Sequence, residues 1–178
     1  MRKTWKKISS KVIFKHPRVT LIEDTVELPT GKRVTYLRYN QKNNAVTVIA
    51  QHDGEILVEK EYSYPPDEVL LQFPGGAVPE GEELSEGANR ELAEETGLRA
   101  KKMRLLGYYY TNNRRHSGKM YVFLATDLEK ASKAPDLEED IELIWHTEKE
   151  VDRLIREGEI KNANLLAAWA LYKERLTK

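Results

Sequence analysis

Apolar positions along the chain follow two periods. Between Lys11 and Tyr39, short runs rich in β-branched and aromatic residues, Lys11 to Phe14, Val19 to Val26 and Arg33 to Arg38, are separated by His16-Pro17 and Pro29-Thr30-Gly31. This pattern predicts a small antiparallel sheet. After the polar stretch Asn40 to Asn44, the valine- and isoleucine-rich run Ala45 to Gln51 leads through His52-Asp53-Gly54 into Glu55 to Tyr62, which reads as a β-hairpin. From Leu84 to Thr96 helix formers take over, and Gly97 stands where a left-handed C-terminal cap would end the helix. Strands are expected at Met103 to Tyr110, Lys119 to Ala125 and Ile141 to His146, and helices at Glu148 to Glu157 and Asn162 to Leu176 with a turn at Gly158. Strands interrupted by helices, without a strict strand-helix repeat, predict an α+β fold: a mixed sheet with helices on both faces. No internal repeat, low-complexity segment or long linker breaks the chain.

The length of 178 residues suits one ordinary domain with a small extra lobe. Lysine plus arginine equals aspartate plus glutamate at 29 each, so no overall field draws the chain to nucleic acid or to anionic membranes. Cysteine is absent, which excludes disulfides and thiolate metal sites and leaves oxygen and imidazole donors for any metal. The amino terminus is basic but lacks the apolar run of a signal peptide, and no window approaches ~18 consecutive apolar residues. The expectation is a cytoplasmic protein.

The chemistry concentrates in Gly76-Ala77-Val78-Pro79-Glu80-Gly81-Glu82 and in Arg90-Glu91-Leu92-Ala93-Glu94-Glu95-Thr96-Gly97-Leu98. Residues three and four apart are neighbours on a helix, so Glu91, Glu94 and Glu95 share a face, while Ala88 and Leu92 lie to one side of it and can anchor it to the sheet. Carboxylates with Cβ atoms ~5–6 Å apart repel by roughly 3 kcal/mol per ionised pair at an effective dielectric of 20. A hard divalent cation relieves that cost, and all-oxygen ligation favours Mg²⁺ or Mn²⁺ over zinc. An isolated Glu-x-x-Glu-Glu is more often a solvated acidic face. Here Pro74-Gly75-Gly76 permits a tight loop that lets backbone approach a ligand, and Glu82 with Arg90 supplies a buttress pair.

These residues resemble the Nudix box, G-x5-E-x7-R-E-U-x-E-E-x-G-U with U a bulky aliphatic residue. Gly76, Glu82, Arg90, Glu91, Leu92, Glu94, Glu95, Gly97 and Leu98 fill every fixed position over residues 76–98. The resemblance implies the Nudix fold, an α/β/α sandwich around a mixed sheet, and Mg²⁺-dependent hydrolysis of a diphosphate linkage in a small nucleotide substrate. It implies Glu91, Glu94 and Glu95 as metal ligands, with the main-chain carbonyl of Gly75 as a further candidate. Arg90 and Glu82 would orient those ligands rather than touch substrate.

Similarity to the ADP-ribose pyrophosphatase and nucleoside-diphosphate-sugar branch extends over nearly the whole chain, through the β-rich lobe, Tyr62-Ser63-Tyr64-Pro65, Val122-Phe123-Leu124-Ala125 and Gly158-Glu159-Ile160. In that branch the base resembles a glutamate on a loop before the later strands; Asp136 to Glu142 matches such a loop, with Glu139 the first choice and Glu138 the second, and Glu94 in reserve. The resemblance further implies residues 1–42 as a lobe serving dimerisation and the substrate site, residues 43–178 as the hydrolase domain, and a homodimer. Two departures bear on specificity: Ser63 and Gln72 stand where the branch often has arginine and glutamate. Tyr110 to Lys119 replaces the branch's frequent Pro-Gly loop; its Arg114, Arg115 and Lys119 are candidates to meet phosphates, and Ser117 joins Arg115 as a candidate substrate contact. Tyr62, Tyr64 and Tyr108 to Tyr110 could stack on a base, with Tyr64 the candidate, although tyrosines in strands are more often packing residues. His52 and His116 lack partners at metal-ligand spacing. The competing functions are hydrolysis of another diphosphate (a dinucleoside polyphosphate, an oxidised nucleotide or a capped RNA end) and a non-catalytic nucleotide-sugar sensor, which would have no need of the intact glutamates.

Overall fold

A computed structural model describes residues 4–40, 44–132 and 140–176. They form two compact units. The first holds residues 4–40 together with Tyr110–Gly118, and the second holds the remainder.

The first unit is a three-stranded antiparallel sheet, β1 (Lys6–His16), β2 (Val19–Glu27) and β3 (Arg33–Tyr39), in the order β1-β2-β3. The central strand alternates, burying Ile22, Asp24 and Val26 on one face. β1 is exposed along its whole length. It begins five residues before the expected Lys11 because its polar start, Lys6, Lys7, Ser9 and Ser10, follows no buried face and so carries no alternation to read.

The second unit contains β4 (Asn44–His52), β5 (Glu55–Ser63), β6 (Glu68–Gln72), β7 (Ala77–Val78), α1 (Leu84–Thr96), β8 (Leu98–Tyr110), β9 (Lys119–Lys130), β10 (Ile141–Thr147), α2 (Glu148–Arg156) and α3 (Ala163–Leu176). The sheet runs β10-β5-β4-β9-β8, with β6 added to β5 and β7 to β4. The expected hairpin is only partly realised. Its turn forms, with Asp53 at φ 50° and Gly54 at φ 84°, but β4 and β5 pair only at Gln51↔Ile56 and His52↔Glu55. Beyond that point β5 pairs with β6 from Glu59 to Ser63, and β4 lies parallel to β9 from Ala45↔Met120 to Ala50↔Ala125. The apolar run Ala45 to Ala50 thus sits between strands with both faces covered, as central parallel strands require.

Alternation sorts the core into two layers. Val46, Val48, Ala50, Leu57, Phe123 and Ala125 pack with Ala88 and Leu92 of α1. On the opposite face Ile49, Ile56, Val58, Val122 and Leu124 pack with Val151 and Leu154 of α2 and with Leu165, Ala168, Trp169 and Tyr172 of α3. This is the expected α/β/α sandwich. Among the described residues no helix is long and apolar enough to cross a membrane.

Candidate active site

The carboxylate helix is held from below. Leu92 and Ala88 are fully buried, and burying a leucine side chain contributes roughly 1.5–3 kcal/mol. At its C-terminus Gly97 adopts φ 70° and its N–H donates to the Ala93 carbonyl at 3.0 Å, the left-handed cap that the sequence predicts. Asn89 tethers the same helix to β8: its side chain donates to the Ala100 carbonyl at 3.0 Å and accepts from the Ala100 N–H at 2.8 Å.

The loop before the helix is clamped to β4, whose Val46 and Val48 N–H groups donate to the carbonyls of Gly76 (2.9 Å) and Pro74 (2.8 Å). A side chain at either glycine of this loop would collide with its surroundings, with backbone at Gly75 and with the Glu91 carboxylate at Gly76. A Cβ on Gly75, at φ 154°, would stand 2.8 Å from Thr47 Cα and overlap the Val46 carbonyl, and one on Gly76 would stand 2.6 Å from the Glu91 carboxyl carbon. The Glu91 carboxylate therefore rests directly against bare backbone, the close approach that glycine permits.

Arg90 gathers the glutamates. Its guanidinium donates to Glu82 at 3.0 and 3.1 Å, to Glu91 at 2.8 Å, to Glu94 at 3.0 Å and to the Ala77 carbonyl at 3.1 Å. The sequence pairs Arg90 with Glu82 alone; in the structure it also supplies positive charge between two of the crowded carboxylates. These contacts hold Arg90 protonated and keep the Glu82 carboxyl below its usual range. Glu91 behaves oppositely: burial pushes its carboxyl above the usual range, against the pull of Arg90.

Glu95 accepts a 2.7 Å hydrogen bond from the Gly75 N–H. The three carboxylates are anchored by different partners, Glu91 and Glu94 by Arg90 and Glu95 by the Gly75 amide. Among the described residues no three acidic or imidazole side chains converge on one point. The donor set nevertheless fits a hard divalent cation: three carboxylates on one helix, all oxygen, beside a backbone cradle that a Cβ would fill. A shallow notch of about 70 Å³ adjoins Gly75, lined by Thr47, Gln72, Met120, Asn162 and Asn164 among others.

The remaining candidates are scattered. Tyr64 is 82% exposed on the turn after β5, and Arg115 and Ser117 lie in the first unit. Glu138 and Glu139 lie outside the described residues. The packing expectation fails for four tyrosines: Tyr62, Tyr64, Tyr108 and Tyr110 are all exposed, Tyr64 on a turn and Tyr108 and Tyr110 on the face of β8 opposite Tyr109. Tyr109 alone packs against it, with its hydroxyl donating to Asn164 Oδ1 at 3.1 Å. Sequence reasoning missed Glu59, fully buried at the centre of β5, and the Asp24–Arg38 pair of the lobe at 2.6 Å. Arg38 two residues after Tyr36, on one face of a short strand, was the signal available for the second.

Comparison with known proteins bears on this geometry. The NUDIX domain model matches residues 41–169, and the nucleoside diphosphate sugar hydrolase N-terminal domain model matches residues 5–36. The chain belongs to the Nudix family. It is a pyrophosphohydrolase. The ADP-ribose pyrophosphatase of Bacillus subtilis (strain 168) is 32% identical to this Nudix protein over 89% of this chain and 86% of that one. The methanol dehydrogenase activator of Bacillus methanolicus is 30% identical over 92% and 89%. The crystal structure of an ADP compounds hydrolase matches with a TM-score of 0.90 at 24% identity, covering 98% of this chain and 95% of that one, a likeness that establishes the fold.

Proposed function

We propose that this Nudix enzyme hydrolyses the diphosphate linkage of ADP-ribose or a related nucleoside diphosphate sugar with Mg²⁺, giving a nucleoside monophosphate and a sugar phosphate. The observation that carries this reading is the cradle at Gly75-Gly76, with Glu91 against its backbone and Glu95 on its amide. The match of the amino-terminal lobe to a nucleoside diphosphate sugar hydrolase domain and the similarity to an ADP-ribose pyrophosphatase support the substrate class.

Glu91, Glu94, Glu95 and the Gly75 carbonyl would hold the cation. Bound Mg²⁺, or Mn²⁺ in its place, polarises phosphoryl oxygens, offsets developing charge and acidifies water. Arg90 and Glu82 position the carboxylates through their ion pairs. A water oxygen attacks one phosphorus, the bridging P–O bond breaks, and the bridging oxygen leaves on the other phosphate. A carboxylate takes the water's proton; Glu139 is the first candidate, Glu138 the second and Glu94 the third. Incubating a nucleotide panel with Mg²⁺ and weighing the products tests the reading. ADP-ribose should give AMP and ribose 5-phosphate; turnover of dinucleoside polyphosphates or capped RNA in its stead overturns it.

The assembly we propose is a homodimer built through the lobe. Trp5, Ile8, Val12, Ile13 and Phe14 are all exposed in or next to β1, an apolar stripe on an open edge strand of the kind that pairs with another chain. Sedimentation of the full chain checks this, and a monomer at all accessible concentrations removes it.

A further inference from the structure

The strand that leads into the glycine cradle is latched by one amide. β6 ends at Gln72, which lies directly across from Glu59 of β5 in the antiparallel register. Glu61 is two residues along β5 on the same face, within diagonal reach of a long side chain. Gln72 spans that gap, its Nε2 donating to Glu61 Oε2 at 2.6 Å. Its Oε1 accepts from Asn162 Nδ2 at 3.3 Å.

Both ends of the latch are held. Asn162 caps α3, its Oδ1 accepting from the Asn164 and Leu165 N–H groups at 2.8 and 3.1 Å. Glu61 is part-buried and forms no ion pair among the described residues, so the Gln72 amide is a charge-assisted donor to it. The backbone after Gln72 is equally constrained. Phe73 and Pro74 are buried, the Pro74 carbonyl accepts from the Val48 N–H, and the Gly75 N–H donates to Glu95. Gln72, Gly75 and Asn162 line the same notch.

The chemistry of the pair sets which atom faces which partner. An ionised carboxylate can only accept, so the Gln72 NH₂ turns to Glu61 and its carbonyl oxygen to the Asn162 donor. A glutamate at position 72 would leave Glu61 without its donor. It would also set two carboxylates at hydrogen-bond distance, with Glu59 directly opposite.

We infer that Gln72 is a positioning residue for the cradle: its amide, fixed between Glu61 and Asn162, sets where the Gly75 backbone stands against Glu95, and it must be neutral to do so. The departure from the glutamate frequent at this position in the branch is then a relocation of the acid from position 72 to Glu61. The inference rests on the reading of the cradle as a cation site and is independent of which diphosphate is the substrate.

Three variants of the full chain test it, by steady-state kinetics on ADP-ribose and by Mn²⁺ binding without substrate, read from the electron paramagnetic resonance of free Mn²⁺. Gln72→Met keeps the volume and removes both hydrogen bonds. It should lower kcat ~10-fold and weaken Mn²⁺ binding ~10-fold while KM changes less than ~3-fold. In Gln72→Glu the charged groups near the new carboxyl are Glu59 and Glu61 of β5 and Glu95 of α1; Lys60 and Lys161 are engaged by Glu142 and Glu68. Two carboxyls in contact share a proton at low pH and repel once both ionise, so kcat relative to the parent should be near normal at about pH 6 and ~10-fold lower by about pH 8.5. The exchanged pair, Glu61→Gln with Gln72→Glu, reverses donor and acceptor and keeps the Asn162 contact. It should restore parent kcat and Mn²⁺ binding at both pH values. Unchanged kcat and Mn²⁺ binding in Gln72→Met, whatever its melting temperature, overturns the inference, as does failure of the exchanged pair to recover. Tighter Mn²⁺ binding with higher kcat in Gln72→Glu makes position 72 a ligand and overturns it too. The expected Mn²⁺ pattern in a chain that leaves ADP-ribose intact counts against the substrate reading alone.

Discussion

Two arginines of the second unit each collect three glutamates. Arg90 holds Glu82, Glu91 and Glu94, and Arg153 holds Glu150, Glu157 and Glu159. As charge patterns they are alike; their surroundings are not. The Glu91 side chain is 14% exposed against the glycine cradle, whereas the three partners of Arg153 are 39–53% exposed at the end of a surface helix. At α2 the arginine lowers the Glu150 carboxyl below its usual range. At α1 burial outweighs the same kind of pairing, and the Glu91 carboxyl is raised. Counting ion pairs cannot tell these clusters apart; desolvation beside bare backbone does.

The largest expected contrast is in turnover. Glu94→Gln and Glu95→Gln should each lower kcat by at least ~10²-fold with the fold retained, because each would remove a charged ligand of the proposed cation. Glu157→Gln, in the Arg153 cluster, should leave kcat unchanged. Steady-state kinetics at saturating Mg²⁺ decide it, and near-parent turnover in either α1 variant removes that residue from the ligand set.

The cradle itself is the next point of attack. Gly76→Ala places a methyl carbon 2.6 Å from the Glu91 carboxyl carbon and should cost about 10-fold in kcat by displacing that carboxylate, since small misplacements of reacting groups are costly. Circular dichroism should be unchanged, because the side chain can yield. Gly75→Ala meets backbone that cannot, and should also lower stability, by about 1–3 kcal/mol in chemical denaturation.

A smaller difference separates the two arginines in stability. Arg90→Ala leaves three part-buried glutamates without their shared donor and should cost about 1–2 kcal/mol. Arg153→Ala loses only solvent-screened pairs and should cost less. Equal losses in urea denaturation would show that burial does not distinguish the clusters.

The smallest effect concerns pH. A third pair, Arg38 with Asp24 in the lobe, holds the Asp24 carboxyl below its ordinary value of 3.8. A carboxyl whose folded pKa lies below its unfolded one contributes stability that is present above the unfolded value and is lost as the pH falls through the folded one. Melting temperature should therefore drop as the pH falls below about 4, and Asp24→Asn should flatten that acid slope while lowering stability at neutral pH.

Legibility in the sequence followed the range of the interactions. The box was readable because its parts are local: Leu84 to Thr96 forms the expected helix, Gly97 its cap, and Glu82 with Arg90 its buttress. The anchoring of Glu95 was not, since it accepts from an amide twenty residues away in sequence, on a loop whose position β4 sets. Ala45 to Gln51 was readable as a strand but not as a partner of β9, because a run covered on both faces carries no sign of which neighbour covers it. The exposed tyrosines share this limit: propensity placed Tyr62 and Tyr108 in strands correctly but says nothing about which face of a strand the core covers. Glu139 and Glu138 rest on resemblance alone, in an acidic run of sequence with no periodicity to anchor it.

The parallel pairing of β4 with β9 sets a timetable for the nascent chain. Glycine loop and acidic helix leave the ribosome early, but the strand to which the loop is clamped has its long central partner, residues 119–130, still to be made. Non-local parallel pairing forms late, so β4 waits with an apolar, β-branched edge unsatisfied. Substitutions that slow the docking of β9, far from any carboxylate, should therefore show themselves first as low soluble yield, in protein whose surviving molecules turn over at the normal rate.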